Sequence, residues 1–572
     1  MANVTDNLNQ KQKKAATHVC GPMRVIAGAG TGKTRVLTHR IAHLIANGHA
    51  KPTEILALTF TSKAANEMAE RVAGIIDADT TPETFTFHAL GAKLLRNHAD
   101  QLPISQDFTI RDSQQTRKIT KEATKAASHN PQEWSPKDTA SFISRQKSAG
   151  QTLQDFRESV ADDTGLAPAV LEIWPIYKRK MREQDSVDFA DLLLLTRKLL
   201  AENEKIRSYY QNRWRYLLVD EYQDTNVLQA DVISLLADEE NNVFVVGDGD
   251  QTIYSWRGAT RENIISFDSE FPNAETVILN QNYRSTEHIL QAANDVISQN
   301  PNRHEKELTA QGQAGDKLQL KTATNAKHEA QLIVQEAGSS TPDNWAVLYR
   351  TNAQSRVIEE ALLSADIPYE IAGTSFFDRK EVRDLLAYIR LSLNRDADAD
   401  RRRIINRPRR GVGDKTLQRV LDGEKDQISS RRQKKLKRFR KLLDEIEQTI
   451  NQKPPSEAIL DIIQKTELVD FYDDNTYERK KNMQELASMA ANFDDQFTGG
   501  TEAMQAFLQN VALSSDQDRI EGSDGVQLMT VHAAKGLEFP HVWICGLEDG
   551  LFPQKQDEYV EPDEEERRLF YV

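Results

Sequence analysis

The chain has 572 residues, of which 39% are hydrophobic and 28% are charged, and its formal net charge is −14. The length suggests roughly four domains of about 150 residues each, no stretch approaches the roughly 20 apolar residues of a membrane span, and the N-terminus lacks the apolar segment of a signal peptide. The two cysteines, Cys20 and Cys545, exclude a disulfide framework, a four-thiolate zinc site and an iron–sulfur cluster, so a reducing cytoplasm is the expected compartment.

The first informative segment is VIAGAGTGKT, residues 25–34. It predicts a short apolar strand, a glycine-rich turn and the start of a helix, in which backbone N–H groups surround a nucleotide's phosphates. Lys33 would reach the outer phosphates, and Thr34 would hold magnesium. Ala27 stands where the strict phosphate-loop pattern has its first glycine. The other predicted nucleotide contacts in and directly after this segment are Gly28, Ala29, Gly30, Thr31, Gly32 and Arg35.

The second informative segment is YLLVDEYQDTN, residues 216–226. It predicts another apolar strand that ends in two adjacent carboxylates, which metal-assisted phosphoryl transfer needs opposite the phosphate loop. Asp220 would position magnesium, and Glu221 would polarise the attacking water. The two segments together predict a site for magnesium and ATP.

Apolar strand-like runs recur in two blocks, which predicts an α/β fold with two parallel-sheet nucleotide-fold cores. The first block has runs at residues 23–28, 55–60, 216–220 and 242–248, and the second has runs at 275–280, 345–350 and 542–547. The polar, helix-rich stretches between these runs predict a mainly helical insertion in each core. The expected domains are residues 1–95 and 189–274 for the first core, 96–188 for its insertion, 275–375 and 523–572 for the second core, and 376–522 for its insertion.

The second insertion is strongly basic, although the net charge of the whole chain argues against coating nucleic acid through bulk electrostatics. Residues 401–441 contain roughly seventeen Lys and Arg against four acids. Such a local excess can bind a phosphate backbone, and the alternative for its second cluster, RRQKKLKRFRKLL, is a solvated helical face. The first cluster, RRRIINRPRR, lies beside Pro408 and Gly411, in or near a turn.

A glycine-rich loop, VVGDGDQTIYSWRGA, follows an apolar strand at residues 245–259. Gln251 could contact a γ-phosphate and change its partner when that phosphate leaves. Tyr254, Trp256 and Arg257 follow within six residues. Core packing is the alternative for the two rings, but a pair of rings in such a loop would be poorly buried. Aromatic rings there suit stacking on nucleic-acid bases, which contributes about 1–3 kcal/mol per base.

Six segments occur in one order along the chain: LTFTSKAANEMAERV at 58–72, DEYQDTN at 220–226, VGDGDQTIYSWRGA at 246–259, NYRS at 282–285, AVLYRTNAQSR at 346–356 and TVHAAKGLEF at 530–539. On these segments the chain resembles the superfamily 1 DNA helicases of the UvrD, Rep and PcrA group, over nearly its whole length. The resemblance implies two RecA-like cores that close on ATP and magnesium. It also implies movement 3′ to 5′ along single-stranded DNA, unwinding at junctions with duplex, and a role in DNA repair or replication.

The resemblance also implies the remaining nucleotide contacts. Gln12, in the segment LNQKQ at residues 8–12, would hold the adenine, and Tyr283 would stack on it. Without the resemblance, Gln12 reads as an ordinary surface glutamine. Arg284 would reach the γ-phosphate, where such an arginine is worth about 10³–10⁵ in rate. Glu538 would contact the ribose.

A channel across both cores is where the resemblance places the DNA strand. Phe60 ends a predicted strand, so core packing is its alternative. His88 has no companions at metal-ligand spacing, which disfavours zinc. The expected strand contacts are Phe60, Thr61, His88, Phe189, Tyr254, Trp256, Arg257 and Asn352.

The chain departs from the family pattern at three places. Ser62 replaces the usual asparagine, and Thr374 replaces a glycine. EEERRLFYV, residues 564–572, resembles the opening of the family's last motif, and the chain stops before that motif's arginine. Arg567 and Arg568 are expected to make structural or motif-bridging contacts. A nucleotide-dependent DNA-binding module without a competent motor is therefore an alternative, whereas a helicase and nuclease fusion or an RNA helicase is disfavoured.

Overall fold

The computed structural model describes residues 4–76, 81–131, 133–159, 166–301, 303–338, 341–371, 377, 379–421, 428–472, 476–494, 500–513, 525–554 and 562–572. Thr374 lies outside the described residues. The architecture is α/β with parallel sheets, as the sequence predicts. None of the helices in the described ranges is long and apolar enough to cross a membrane.

The first half of the chain forms a sheet with helices on both sides and a helical insertion. The elements before the insertion are α1 (Gln10–Thr17), β1 (Met23–Ala27), α2 (Lys33–Ala46), β2 (Ile55–Thr59), α3 (Ser62–Ile76), β3 (Glu83–Thr86) and α4 (Phe87–Asn97). The insertion contains β4 (Thr109–Ile110), α5 (Ser113–Ala126), α6 (Pro136–Ser148), α7 (Leu153–Ser159), α8 (Leu166–Glu183) and β5 (Ser186–Val187). The elements after it are α9 (Phe189–Glu202), α10 (Glu204–Arg213), β6 (Tyr216–Val219), α11 (Val227–Leu236), β7 (Val243–Gly247), α12 (Glu262–Ile265), α13 (Phe267–Glu270) and β8 (Glu275–Leu279).

The second half repeats this plan with a smaller sheet. The elements before its insertion are β9 (Gln281–Asn282), α14 (Glu287–Ile297), β10 (Thr309–Ala310), α15 (Ala326–Ala337), β11 (Trp345–Tyr349), α16 (Ser355–Ser364) and β12 (Tyr369–Ile371). The insertion contains α17 (Lys380–Leu393), α18 (Asp398–Ile404), α19 (Asp414–Leu421), α20 (Ser430–Gln452), α21 (Pro455–Thr466), α22 (Leu468–Phe471), α23 (Thr476–Ala490) and α24 (Thr501–Leu513). The chain continues with β13 (Val526–Thr530), α25 (Val531–Ala534), β14 (His541–Ile544) and α26 (Pro562–Tyr571).

The first sheet has six parallel strands in the order β3-β2-β6-β7-β1-β8. Every residue of β1, β2, β6 and β7 is buried, because helices cover both faces of a parallel sheet and near-continuous apolar strands suit that position. The carboxyl ends of β1, β6 and β7 lead into the phosphate loop, the carboxylate pair and the Gln251 loop. The three predicted motifs therefore meet at one edge of this sheet.

The prediction that residues 275–280 belong to the second sheet is wrong. They form β8, which pairs in parallel with β1 from Met23 opposite Glu275 to Ala27 opposite Leu279. Val277 and Leu279 pack into the core beneath β1. An apolar run predicts a strand, but its periodicity carries no information about which sheet the strand joins.

The second sheet has four parallel strands in the order β12-β13-β11-β14. β13, which the sequence analysis does not predict as a strand, lies between β12 and β11. Its apolar residues Val526 and Leu528 pack with Val347 of β11 and with Cys545 after β14. β13 leads directly into the TVHAAKGLEF segment, so this sheet positions Lys535 and Glu538.

The two basic clusters of the second insertion have different surroundings. In the first cluster, Arg403 and Arg407 each approach a carboxylate oxygen of the fully buried Asp384 to 2.6 Å. Arg410 lies over the ring of Phe439 at 5.1 Å. Arg403, Arg407 and Arg410 therefore already have partners inside the protein.

The second cluster lies on α20, and its cations point to solvent. Lys441 forms an i,i+4 pair with Glu445 at 3.4 Å. Within the described part of the chain, the other exposed cations of this face have no carboxylate at salt-bridge distance: Arg431, Arg432, Lys434, Lys437, Arg438 and Arg440. This exposed face of α20 is called the α20 cationic face below.

Candidate functional site

The glycine-rich turn between β1 and α2 has the backbone shape of a phosphate loop. Gly30 and Gly32 adopt φ angles of +67° and +87°, which residues with a Cβ rarely reach. Thr31 donates its hydroxyl to the Gly28 carbonyl at 2.8 Å. α2 begins at Lys33 without a side-chain cap, which leaves its N-terminus available to an anionic ligand.

The segment that follows β8 holds this loop from the other side. Asn282 donates its side-chain amide to the Ala29 carbonyl at 2.7 Å, and Tyr283 donates its backbone N–H to the Gly30 carbonyl at 2.9 Å. A Cβ on Gly30 would lie 2.6 Å from the Cβ of Arg284. The structure therefore brings the NYRS segment into direct contact with the phosphate loop.

Gln12 is buried, with only 2% of its surface exposed, which corrects its interpretation as a surface glutamine. Its side-chain amide donates to the Thr31 carbonyl at 2.9 Å, and its amide oxygen accepts the backbone N–H of Asn9 at 3.1 Å. The Tyr283 hydroxyl accepts a hydrogen bond from the Asn9 amide at 2.9 Å, while Tyr283 as a whole is 55% exposed. Arg35 donates to the Asn7 carbonyl at 2.8 Å. Gln12 and Tyr283 thus share the partner Asn9 beside the phosphate loop.

Lys33 lies between the carboxylate pair and the Gln251 loop. Its ammonium nitrogen is 2.8 Å from Glu221 Oε1, 2.9 Å from Glu221 Oε2 and 3.0 Å from Gln251 Oε1. Glu221 has a φ of +49°, a strained conformation for a residue with a Cβ, directly after β6. Asp220 is buried and accepts the Glu221 N–H at 2.9 Å. The two predicted motifs are therefore joined through one lysine.

The two carboxyl groups have opposite electrostatic environments. Burial, and next the neighbouring Glu221, raise the pKa of Asp220 to about 7. Burial would also raise the pKa of Glu221, but the Lys33 and Lys535 ammonium groups outweigh it and lower that pKa to about 2. Asp220 is thus a buried carboxyl group whose burial and neighbouring carboxylate outweigh the opposing charge of Lys33.

Asp220 and Thr34 present the oxygen ligands that magnesium prefers. Magnesium is usually bound through one or two carboxylates together with substrate phosphates and water. In the described ranges, no group of three or more His, Cys, Asp or Glu forms a metal cage. The donor set, one carboxylate at a strand end opposite a phosphate loop, fits a magnesium ion that arrives with a nucleotide.

A second buried lysine, Lys535, was not singled out from the sequence. It pairs with Asp224 of the DEYQDTN segment and donates to the Gln251 carbonyl at 2.7 Å. Its ammonium nitrogen also lies 5.1 Å from the centroid of the Tyr254 ring. Burial, only partly opposed by Lys535, raises the pKa of Asp224 to about 6. The signal in the sequence was the position of Lys535 within TVHAAKGLEF.

Arg284 and Glu538 pair with each other, with 2.6 Å between Arg284 Nε and Glu538 Oε2. The resemblance assigns these groups to the γ-phosphate and the ribose, respectively. Both residues belong to the second half of the chain, and Arg284 also lies against Gly30 of the phosphate loop. A ligand that contacts either side chain must compete with this ion pair.

Arg567 and Arg568 make bridging contacts, as expected. Arg568 donates to the Thr252 carbonyl at 2.9 Å, next to Gln251 in the chain. Arg567 donates to the side-chain oxygen of Asn300 at 3.0 Å. α26 is therefore attached to the Gln251 loop and to the segment after α14.

The aromatic loop is only partly exposed, which corrects the expectation that both of its rings are poorly buried. Trp256 is 61% exposed, but Tyr254 is only 4% exposed. The Tyr254 ring stacks on Phe60 with 5.3 Å between ring centroids, and the Arg257 guanidinium lies 4.6 Å from the Trp256 ring centroid. Tyr254 and Phe60 thus form a packed support, and Trp256 with Arg257 forms the exposed surface.

The other predicted strand contacts lie at loops and helix starts. His88 and Phe189 form an edge-to-face pair with 5.6 Å between ring centroids. Burial, and next Arg257, lower the pKa of His88 to about 4, so the imidazole is neutral at pH 7. Thr61 accepts the Ala64 N–H at 3.1 Å at the start of α3, and Asn352 is exposed after β11.

Sequence comparisons agree with this geometry. The sequence model of the UvrD/REP helicase N-terminal domain matches residues 8–272, and that of the UvrD-like helicase C-terminal domain matches residues 277–572. The chain is 38% identical to the ATP-dependent DNA helicase PcrA of Leuconostoc citreum, over 100% of the chain and 80% of that protein. It is also 38% identical to PcrA of Bacillus subtilis, over 99% of the chain and 81% of that protein. The PcrA of Staphylococcus epidermidis is 36% identical, over 100% of the chain and 82% of that protein.

Proposed function

The chain belongs to the UvrD/REP helicase family, and we propose that it is an ATP-dependent DNA helicase that moves 3′ to 5′ along one strand. The observation that carries this proposal is the position of Lys33, on a phosphate loop and bonded to both Glu221 and Gln251. Relatives named ATP-dependent DNA helicase over nearly the whole chain support it. The polarity and a role in DNA repair or replication, in the cytoplasm, rest on the resemblance.

We assign the domains as the sequence predicts them, except that β8 belongs to the first sheet. Residues 1–95 and 189–279 then form the first RecA-like core, and residues 280–375 and 523–572 form the second. Residues 96–188 and 376–522 are the helical insertions. The nucleotide lies between the cores, with Gln12 and Tyr283 at the adenine and Glu538 at the ribose.

Hydrolysis requires Lys33 to exchange Glu221 for phosphate oxygens. The released Glu221 carboxylate then orients the attacking water, because it lies at the end of β6 beside the phosphate loop. Arg284 leaves Glu538 and stabilises charge on the transferred phosphoryl group, a role worth about 10³–10⁵ in rate. Magnesium, held by Asp220 and Thr34, would supply further neutralisation of phosphate charge.

Gln251 connects the nucleotide to the strand-binding surface. Its side chain contacts Lys33, and its carbonyl accepts a hydrogen bond from Lys535, which also lies beside Tyr254. A change in the partner of Gln251 when the γ-phosphate leaves would therefore change the contacts of the aromatic loop. Trp256 and Arg257 are the groups of that loop that can reach DNA.

The proposed partner is single-stranded DNA and its junctions with duplex. The strand lies across Phe60, Thr61, His88, Phe189, Trp256, Arg257 and Asn352, with Tyr254 as a buried support. The α20 cationic face offers a second set of phosphate contacts, because its side chains are exposed and lack internal partners in the described structure.

Steady-state ATP hydrolysis with and without single-stranded DNA tests the proposal directly. We expect DNA to stimulate turnover by about tenfold or more. A partial duplex with a 3′ single-stranded tail should be unwound, whereas one with a 5′ tail should not. No stimulation by DNA would overturn the assignment, and unwinding only from the 5′ tail would overturn the polarity.

Lys33→Ala should abolish DNA-stimulated hydrolysis while single-strand binding, measured by fluorescence anisotropy, largely survives. The matched control is Lys198→Ala, which removes an exposed lysine whose only ion pair in the described structure is with Glu202 on the same helix. This control should leave turnover unchanged. Unchanged turnover in the Lys33→Ala variant would contradict the assignment of the phosphate loop.

A further inference from the structure

Two buried aspartates follow β7, one on each side of Gly249. Asp248 is fully buried, and Asp250 is 3% exposed. The ammonium group of Lys306 contacts Asp248 Oδ1 and lies 2.6 Å from Asp250 Oδ2. Arg303 adds a contact of 2.9 Å to the same Asp250 oxygen. Two cations therefore neutralise two buried carboxylates, and the Lys306 side chain is itself only 1% exposed.

Asp248 connects this cluster to the nucleotide site. Its second carboxylate oxygen, Oδ2, accepts the side-chain N–H of Gln251 at 2.8 Å. The amide oxygen of Gln251 then faces Lys33 at 3.0 Å. An amide rotated by half a turn would present its N–H group to the Lys33 ammonium, which is repulsive. The Asp248 carboxylate and the Lys33 ammonium therefore favour the same orientation of the Gln251 amide, with its oxygen toward Lys33.

We propose that Lys306 is a positioning residue for Gln251 and acts through Asp248. By binding Oδ1, Lys306 fixes the carboxylate so that Oδ2 is presented to the Gln251 amide. The inference rests on the proposed role of Gln251 in ATP hydrolysis, and it adds a residue from outside the six family segments to that role.

The segment that contains Lys306 lies between the phosphate loop and the Gln251 loop. It precedes β10, which pairs with β9, and β9 carries the Asn282 that bonds to the phosphate loop. Leu308, two residues after Lys306, lies so close to the loop that a Cβ on Gly28 would be 2.7 Å from its side chain. One short segment thus contacts both the phosphate loop and the Gln251 loop, and Lys306 is its charged contact.

The test is a double-variant cycle measured as DNA-stimulated ATP hydrolysis. Lys306→Met, which keeps the length of the side chain but not its charge, should lower kcat by about tenfold and change the KM for ATP by less than about threefold. In a Gln251→Ala background, the same substitution should change kcat by less than about twofold, because its target is already absent. Lys306→Arg should retain most of the turnover, since the positive charge remains.

Lys147→Met is the matched control, because Lys147 is also a buried lysine that contacts two carboxylates, Asp188 and Asp191, each at 2.7 Å. Its effect on kcat should multiply with that of Gln251→Ala. If Lys306→Met does not fold, Asp248→Asn replaces it in the cycle and should show the same loss of additivity.

If the fold losses in kcat of Lys306→Met and Gln251→Ala multiply in the double variant, the inference is overturned. It is also overturned if Lys147→Met shows the same loss of additivity with Gln251→Ala. If Gln251→Ala leaves turnover unchanged while Lys33→Ala abolishes it, the inference fails and the ATPase assignment stands. If neither substitution affects hydrolysis, the proposed function itself fails.

Discussion

The proposed site has a nucleotide side, around the phosphate loop, and a strand side, around the exposed part of the aromatic loop. The charged groups of the first side are paired with each other, whereas the second side is exposed. On the nucleotide side, Lys33 is paired with Glu221 and Arg284 with Glu538. On the strand side, Trp256 is 61% exposed. ATP must therefore displace protein partners to bind, whereas DNA meets a surface that is already open. Substitutions on the nucleotide side should mainly change rates, and substitutions on the strand side should mainly change affinity for DNA.

The largest expected effect tests the nucleotide side. Arg284→Ala should lower kcat by about 10³-fold or more, because charge on the transferred phosphoryl group loses its cation. Glu538→Gln removes the partner of Arg284 but keeps the arginine, so it should lower kcat by less than about tenfold. Both values come from steady-state hydrolysis at saturating ATP and single-stranded DNA. Equal losses in the two variants would mean that the ion pair, and not the arginine alone, is required.

On the strand side, Trp256→Ala should weaken single-strand binding by roughly 5- to 150-fold, as expected from the loss of one stacked base. Unwinding should fall with it, while the KM for ATP stays within about twofold. Tyr254→Phe is the control, since it removes only the hydroxyl that donates to the His532 carbonyl at 3.2 Å. Anisotropy and unwinding assays measure both variants. Equal damage to DNA and ATP binding by Trp256→Ala would indicate that this ring supports the core.

Four strands of the first sheet, β1, β2, β6 and β7, could be predicted because each is a short apolar run. β3, with the sequence ETFT, has no such run and was not predicted. The structure begins β1 at Met23 and ends β6 at Val219, beside the predicted phosphate loop and carboxylate pair. What could not be predicted is how separate runs combine. β8 joins the first sheet because Val277 and Leu279 pack beneath β1, and no local pattern encodes that contact.

The sequence also did not predict which polar and aromatic side chains are buried. Tyr254 and Trp256 are two residues apart in one loop, yet only Tyr254 packs on Phe60. Lys306 gave no signal at all, because its two carboxylate partners lie more than fifty residues earlier in the chain. Pairing between distant charged groups depends on the tertiary fold, which charge patterning along the sequence does not reveal.

The two basic clusters of the second insertion differ in the same way, because arginines of the first pair inside the protein and most cations of the second are exposed. Replacing Arg431, Arg432 and Lys434 together by glutamine should weaken binding to a junction DNA by about two- to tenfold and reduce the dependence of log Kd on log salt by about one unit per lost phosphate contact. Arg403→Gln, which removes a partner of buried Asp384, should lower thermal stability and leave the salt dependence unchanged. An unchanged salt dependence in the triple variant would exclude the α20 cationic face from DNA binding.

The smallest expected effect concerns the stability cost of burying the Asp220 carboxyl group beside Glu221. The pKa of Asp220 rises from 3.8 to about 7 in the folded protein, so between these values the folded state retains a proton that the unfolded state has lost. Stability therefore falls as pH rises through this window, and the penalty is complete above about pH 7. Asparagine carries no such penalty and can still accept the Glu221 N–H.

Asp220→Asn should consequently raise the Tm of the nucleotide-free protein by about 2 °C or more at pH 8 and have little effect near pH 4, while hydrolysis is lost. Differential scanning fluorimetry across this pH range measures the difference between the two proteins. Asp295→Asn, at an exposed position on α14, is the control and should not change Tm at either pH. A Tm difference that is independent of pH would show that the Asp220 carboxyl group is already compensated in the folded protein. That result would contradict the contrast drawn above, in which Asp220 on the nucleotide side needs a cation that ATP binding supplies, whereas the strand side is exposed without a ligand.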